Sequence, residues 1–201
     1  MQMIDMKEMN IDFLCIAPHK GLYAPMGSGI LIAEKDIENP LIEGGTGVAS
    51  ALSSQPNEYP ERLESGTLNL PGIIGTGAGI DFVNSKGCEN IYKSELALTM
   101  YIYKELLKIK GIILYTPFPE YGKTVPLISF NLRGVPSSNT ADALNKSGIA
   151  VRGGLHCAPY AHKRLGTIER GMVRISPSIF NTKSDADYLI KALKNISLTH
   201  R

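Results

Sequence analysis

The stretch Asp12-Phe13-Leu14-Cys15-Ile16-Ala17-Pro18-His19-Lys20-Gly21-Leu22-Tyr23-Ala24-Pro25-Met26-Gly27-Ser28-Gly29 decides how the chain is read. Its first part, Ile11–Ala17, is an apolar run broken only by Asp12 and suits a buried strand. Pro18 ends it. A second apolar run, Gly29–Ala33, follows a segment punctuated by Gly21, Pro25 and Gly27. The pattern predicts strand, turn, strand, with His19 and Lys20 on the connection. A lysine placed directly after a buried strand is expected to be partly desolvated. Its amine is then available to form a Schiff base with a carbonyl. A solvated lysine in a surface turn fits the same position.

Outward from this stretch, the segment Glu43–Asn69 is rich in Gly, Ser, Thr, Pro and Asn. It has neither a helical nor an alternating period. Loops of this length are uncommon inside a domain and are usually functional or interfacial. Within it, Gly44-Gly45-Thr46-Gly47 could offer backbone N–H groups and a hydroxyl to a phosphate, or form a simple turn. Pro71 suits the first turn of a following helix, which is expected to be buried and tightly packed. Gly75-Thr76-Gly77-Ala78-Gly79 has the wrong spacing for a dinucleotide fingerprint and no strand before it, so it reads as close helix packing.

Gly87 reads as a break between two parts. Beyond it, Glu89–Lys110 predicts an amphipathic helix ended by Gly111. Strands are expected at Ile112–Thr116, Val125–Leu132, Ile149–Arg152 and Met172–Ser176. A helix over Thr140–Lys146 would be capped by Ser138 or Asn139 and closed by Gly148. Thr182 with Asp185 opens a final helix that runs through Ile196. This second part is α+β; the first has too little material to close a sheet of its own.

Arg152-Gly153-Gly154-Leu155-His156-Cys157-Ala158-Pro159 is the second candidate for chemistry. Two glycines and a proline predict an unusual loop around Cys157, where His156 and Arg152 would favour the reactive thiolate; an inert thiol is the alternative. Arg174, in a strand reading Met-Val-Arg-Ile, calls for an acid, either a carboxylate ligand or an internal Asp or Glu. Zinc at His156, Cys157 and His162 fails on ligand count and spacing. Cys15 and Cys88 have no activating neighbourhood, and three scattered cysteines argue against a disulfide framework.

The 201 residues carry 21 Lys plus Arg against 19 Asp plus Glu, a net charge of +2. That balance gives no case for nucleic acid. With 43% hydrophobic and 20% charged residues the composition is globular. No apolar run approaches the roughly 20 residues that span a bilayer. Met1–Glu8 lacks the apolar core of a signal peptide, so a cytoplasmic protein is expected.

Taken together, the Lys20 stretch resembles the pyridoxal-phosphate lysine segment of the class V aminotransferases, and among them the cysteine desulfurases and selenocysteine lyases. Arg62-Leu63-Glu64-Ser65-Gly66-Thr67-Leu68-Asn69 with Pro71-Gly72, the Arg152–Ala158 loop, and Val173-Arg174 with Phe180-Asn181-Thr182 resemble that family's further signatures, in order. The resemblance covers essentially the whole chain, but only the C-terminal half of a family member. It implies an α/β, pyridoxal-phosphate-dependent transferase fold (aspartate-aminotransferase-like), present in part. Residues 1–87 would be the C-terminal part of the cofactor-binding large domain. Residues 88–201 would be the small α+β domain carrying the cysteine loop.

The resemblance also implies roles. Lys20 would hold pyridoxal 5'-phosphate covalently and move a proton at the substrate Cα, and His19 would help position the cofactor. Arg174, with Arg152, would bind the carboxylate of L-cysteine or a similar amino acid. Cys157 would take the sulfur as a persulfide and leave alanine. Thr46 would reach a partner subunit's cofactor phosphate in a homodimer, and a sulfur-acceptor protein would complete the cycle. No metal is implied.

Three features depart from the family pattern. Ala17 and Pro18 stand where a hydroxyl residue often meets the phosphate, and Ala24 where glycine is common. The other half would normally supply the group stacked on the cofactor ring, the acid at its pyridine nitrogen and part of the phosphate cup. The alternatives are a polypeptide completed by a separate half, a truncated fragment with little activity, a non-enzymatic sulfur-carrying remnant, and a selenocysteine lyase or other class V aminotransferase.

Overall fold

The structure, a computed structural model, describes residues 3–199. The chain divides into two compact units, Gln2–Cys88 and Glu89–Arg201.

In the first unit, β1 (Phe13–Ile16) and β2 (Ile30–Ala33) form an antiparallel pair, with Phe13 opposite Ala33 and Ile16 opposite Ile30. Between them α1 (Pro18–Gly21) makes a single turn with proline in its first turn, where a missing N–H costs nothing. Residues 34–69 contain no helix or strand. Side chains bind this segment instead. Gln55, 9% exposed, donates its amide to the carbonyls of Glu61 and Glu64 at 3.1 and 3.0 Å. Arg62 reaches the Ile37 carbonyl and the Asp36 carboxylate, and Tyr59 donates to the same acid at 2.6 Å.

The long helix α2 (Leu70–Lys86) starts where Asn69 Oδ1 accepts from Gly72 N at 3.1 Å. It ends at Gly87, whose φ of 81° only glycine adopts freely. The expected burial of this helix holds only for one stripe, Gly72, Thr76, Gly79 and Val83. Ile73 and Ile74 lie off that stripe and are 47% and 65% exposed.

The second unit is built on a four-stranded antiparallel sheet. Its order is β3 (Ile112–Leu114), β4 (Ile128–Leu132), β6 (Met172–Ile175), β5 (Arg152–Gly154). Helix α3 (Cys88–Leu106) buries Ile91, Leu96, Thr99, Ile102, Tyr103 and Leu106, a spacing that keeps one face inward. With α4 (Ser137–Lys146) and α6 (Lys183–Thr199) it encloses a core that includes Phe130, Val173, Leu144 and Leu193, all fully buried. Helix α6 opens with the expected reciprocal cap: Asp185 accepts from Thr182 N at 2.8 Å, and Asp185 N donates to Thr182 Oγ1.

Several elements differ from expectation: β1 is half-exposed rather than buried, α3 ends at Leu106 rather than Lys110, β3 ends at Leu114 rather than Thr116, and β4 starts at Ile128 rather than Val125. Helix α4 begins at Ser137 rather than Thr140, with no side-chain cap. The Ser137 hydroxyl donates to the Arg170 carbonyl instead, at 2.7 Å. Strand β5 runs Arg152–Gly154 rather than Ile149–Arg152. Ile149 and Val151 pack on the core from a loop. Gly153 can approach α4 closely because a side chain there would lie 3.0 Å from the Ser137 carbonyl. The one-and-a-half-turn helix α5 (Pro159–Arg164) has no counterpart in the sequence reading.

Candidate active site

The lysine is presented by a loop that α2 fixes in place. Leu22 N and Ala24 N both donate to the Pro18 carbonyl, at 3.0 and 3.3 Å, closing the chain just after Lys20. The glycines of α2 receive this loop. An added Cβ at Gly79 would stand 1.9 Å from the Leu22 carbonyl oxygen, and one at Gly75 would stand 2.5 Å from the Pro25 ring. Asn69 Nδ2 donates to the Gly27 carbonyl at 3.0 Å, and Ser28 shares a 3.3 Å hydrogen bond with Thr76. The Gly75–Gly79 run is thus a docking face for the lysine loop. Lys20 and His19 are both exposed. Of the two readings open for Lys20, partial desolvation and a solvated turn, its exposure agrees with the second, while Pro18 two residues earlier is buried.

Thr46 sits in the same unit, half-buried, where its Oγ1 accepts from Ala49 N at 3.0 Å. It lines a hollow of about 420 Å³ with Gly44, Gly45 and Ser50, and neither His19 nor Lys20 contributes to that hollow.

In the second unit Cys157 lies at the tip of an unusual turn. Leu155 accepts from Ala158 N at 2.9 Å. The two central residues, His156 and Cys157, have φ of 54° and 59°. Both residues are in the left-handed region that such a turn normally gives to Asn or Gly. The conformation is unfavourable for a side-chain-bearing residue and persists only where the surroundings hold it. It leaves Cys157 exposed, with the Arg152 guanidinium donating to Sγ at 3.6 Å. His156 Nε2 donates to the Arg152 carbonyl at 2.9 Å, so a neutral ring carries its proton on Nε2. Partial burial pushes His156 below the usual imidazole range, the carbonyl bond opposes this, and the Arg174 charge adds to it.

Sheet register sets Arg152 directly opposite Arg174. Like charges facing across a strand pair repel. The internal acid that the sequence left open is missing: among the described residues no carboxylate forms an ion pair with either arginine. Arg174 Nε is buried with no hydrogen-bond partner. Arg152 on the thiol, and Arg174 opposite it in register with its Nε unpartnered, together suit an anion, most naturally a carboxylate.

The sequence weighed His162 only as a zinc ligand and gave no role to Thr167. Each is 1% exposed, and they share a 2.9 Å hydrogen bond through His162 Nδ1 and Thr167 Oγ1. No local signal marks them, since their burial comes from packing behind the cysteine turn. Among the described residues no cluster of three or more His, Cys, Asp or Glu could hold a metal, and no helix is long and apolar enough to cross a membrane.

Comparison with known proteins gives this geometry its context. The aminotransferase class-V family profile matches residues 1–189. The chain belongs to the aminotransferase class-V family. Among its class-V relatives, a probable cysteine desulfurase of Staphylococcus aureus is 35% identical over 95% of the chain and 46% of the relative. One from Synechocystis sp. is 32% identical, with the same coverage. The apo structure of a cysteine desulfurase from Thermococcus onnurineus superposes with a TM-score of 0.85 at 28% identity, over 96% of this chain and 49% of that one. The cysteine desulfurase CsdA from Escherichia coli superposes at 0.84, over 97% and 48%. The fold is therefore the α/β fold of the pyridoxal-phosphate-dependent cysteine desulfurases, in part. The chain spans about half the length of the curated relatives it matches.

Class-V aminotransferases and cysteine desulfurases are in general pyridoxal-phosphate-dependent. The donor set here fits one end of that cofactor. Lys20 is exposed, with no ion pair among the described residues. The positions just before it, Ala17 and Pro18, offer no hydroxyl to a phosphate.

Proposed function

We propose that this chain supplies the lysine-and-cysteine half of a pyridoxal-phosphate-dependent cysteine desulfurase. Residues 1–87 would be part of the cofactor-binding domain and residues 88–201 the small domain with the cysteine loop. The observation that carries the proposal is an exposed thiol on a strained turn with Arg152 on it, and Arg174 opposite that arginine, neither paired with an acid among the described residues.

When bound, pyridoxal phosphate supplies an aldehyde for amine capture and an electron sink for bond cleavage. Lys20 anchors it through its amine and then moves a proton at the substrate Cα. His19, next in chain, helps orient it. Arg174, with Arg152, binds the α-carboxylate of L-cysteine; the orphaned Arg174 Nε gains a partner when it does. Cys157 Sγ attacks the substrate sulfur. The S–S bond forms as the substrate Cβ–S bond breaks, the Cβ keeps the electron pair and a proton, and alanine leaves. Cys157 retains the sulfur as a persulfide for an acceptor protein.

Thr46 would serve a partner subunit's cofactor phosphate in a homodimer, or in an assembly with a separate N-terminal half. The exposed Ile73 and Ile74 of α2 support such an assembly. A cytoplasmic location belongs to the same proposal.

Borohydride reduction of the chain mixed with pyridoxal phosphate, read by peptide mass spectrometry, tests the anchor. The label concentrates on Lys20 if the reading is right. An even spread over the surface lysines overturns it.

A further inference from the structure

The turn that presents Cys157 is conformationally costly, so something must hold it. His156 is tied at one end by its hydrogen bond to the Arg152 carbonyl. Behind it lies the His162 ring, 5.7 Å away between centroids and tilted by 54°. His162 is itself fixed on three sides. Its backbone N–H donates to the Ala158 carbonyl, its carbonyl accepts from Thr167 N at 2.9 Å, and Nδ1 meets the Thr167 hydroxyl. An apolar ring would fill the same space but could not be pinned in plane; a buried, satisfied polar pair specifies one orientation. The reaction proposed above uses neither His162 nor Thr167.

We infer that His162 is a positioning residue for Cys157. Its buried ring, locked by Thr167, backs His156 and so keeps residues 156–157 in the left-handed turn that sets Sγ against the Arg152 guanidinium. The inference rests on the reading of Cys157 as the sulfur nucleophile. It adds that the nucleophile's placement is decided from underneath, by a side chain that touches neither sulfur nor substrate.

The test is the rate of iodoacetamide alkylation of the full chain, read by peptide mass spectrometry as the ratio of Cys157 to Cys15. Cys15 is also exposed and lies in the other unit, so it is an internal reference. In the unaltered chain the ratio is well above one. Either His162→Phe or Thr167→Val lowers it by about threefold or more, the size of a direct coupling between contacting residues. Thr167→Ser, which keeps the hydroxyl, restores it.

In an Arg152→Gln background His162→Phe adds nothing, because its effect runs through that guanidinium; a general loosening of the fold would still add. Should His162→Phe fail to fold, the Thr167 pair carries the test by itself. An unchanged ratio in folded variants, or full additivity with Arg152→Gln, overturns the inference while leaving Cys157 as the nucleophile. A ratio near one in the unaltered chain overturns both.

Discussion

The two units solve the burial problem differently. The second is self-sufficient: strands β4 and β6 and helices α3, α4 and α6 close around Phe130, Val173, Leu144 and Leu193. Among its described large apolar and alanine side chains the first buries only Ala24 and Val83, and leaves Leu41, Ile42, Val48 and Ile74 more than half exposed. It is held instead by hydrogen bonds to backbone, through Gln55, Arg62 and Asn69, and by glycine contacts. A unit built this way has its loops placed and its apolar surface exposed, the surface that the proposed assembly would cover.

That contrast predicts where substitutions hurt most. Phe130→Ala empties a fully buried site and costs about 3–5 kcal/mol, whereas Ile74→Ala on the exposed face of α2 stays within about 0.5 kcal/mol. Hydrogen exchange followed by mass spectrometry reads each unit separately. Equal losses at the two sites would end the distinction between a closed core and an uncovered face.

A second pair sharpens the account of the first unit. Gly79→Ala drives a methyl group into the Leu22 carbonyl and destabilises that unit by about 1–3 kcal/mol, the usual cost of overpacking. Gly77→Ala, two residues away with nothing within 4 Å of the added atom, stabilises α2 by about 0.5–1 kcal/mol, through its lower backbone entropy loss. Denaturant titration of both variants checks the opposite signs. If Gly79→Ala is neutral, α2 does not fix the lysine loop.

The smallest effect concerns pH and the second unit. His156 is held below the ordinary imidazole pKa of 6.5. The unfolded chain therefore binds the proton more readily than the folded one. Stability from this group is complete above pH 6.5 and is lost as pH falls through the lower folded value. Melting of the parent chain should decline over that window more than melting of His156→Asn. Parallel pH profiles would show that the cysteine turn does not depend on the neutral ring.

How far the sequence reached differs between elements for reasons that can be named. Pro18, Pro71, Gly87 and the Thr182–Asp185 pair each act within a turn of chain, so the start of α2 and of α6 could be read directly. Strand β5 could not. Ile149 and Val151 look like strand residues, but the pairing was decided by Gly153 and by the space it leaves under α4. The lysine was legible as a candidate, with desolvated and solvated readings both open until its exposure was known. For Arg152 and Arg174 the residues were legible, yet the choice between an internal acid and an unpaired site was settled by which side chains surround them.

Legible from residue order alone were the β1–turn–β2 unit with Lys20 on its connection, the two long helices that follow, an α+β second part, and the resemblance to a family to which the chain does belong. These rest on signals carried by adjacent residues or by motifs in order. It took the three-dimensional arrangement to show that Arg152 faces Arg174 with no acid paired to either among the described residues, that His156 and Cys157 share a left-handed turn, that His162 is buried behind it, and that the glycines of α2 seat the lysine loop. Each depends on atoms brought together from distant parts of the chain, where register and packing volume, not local propensity, set the outcome.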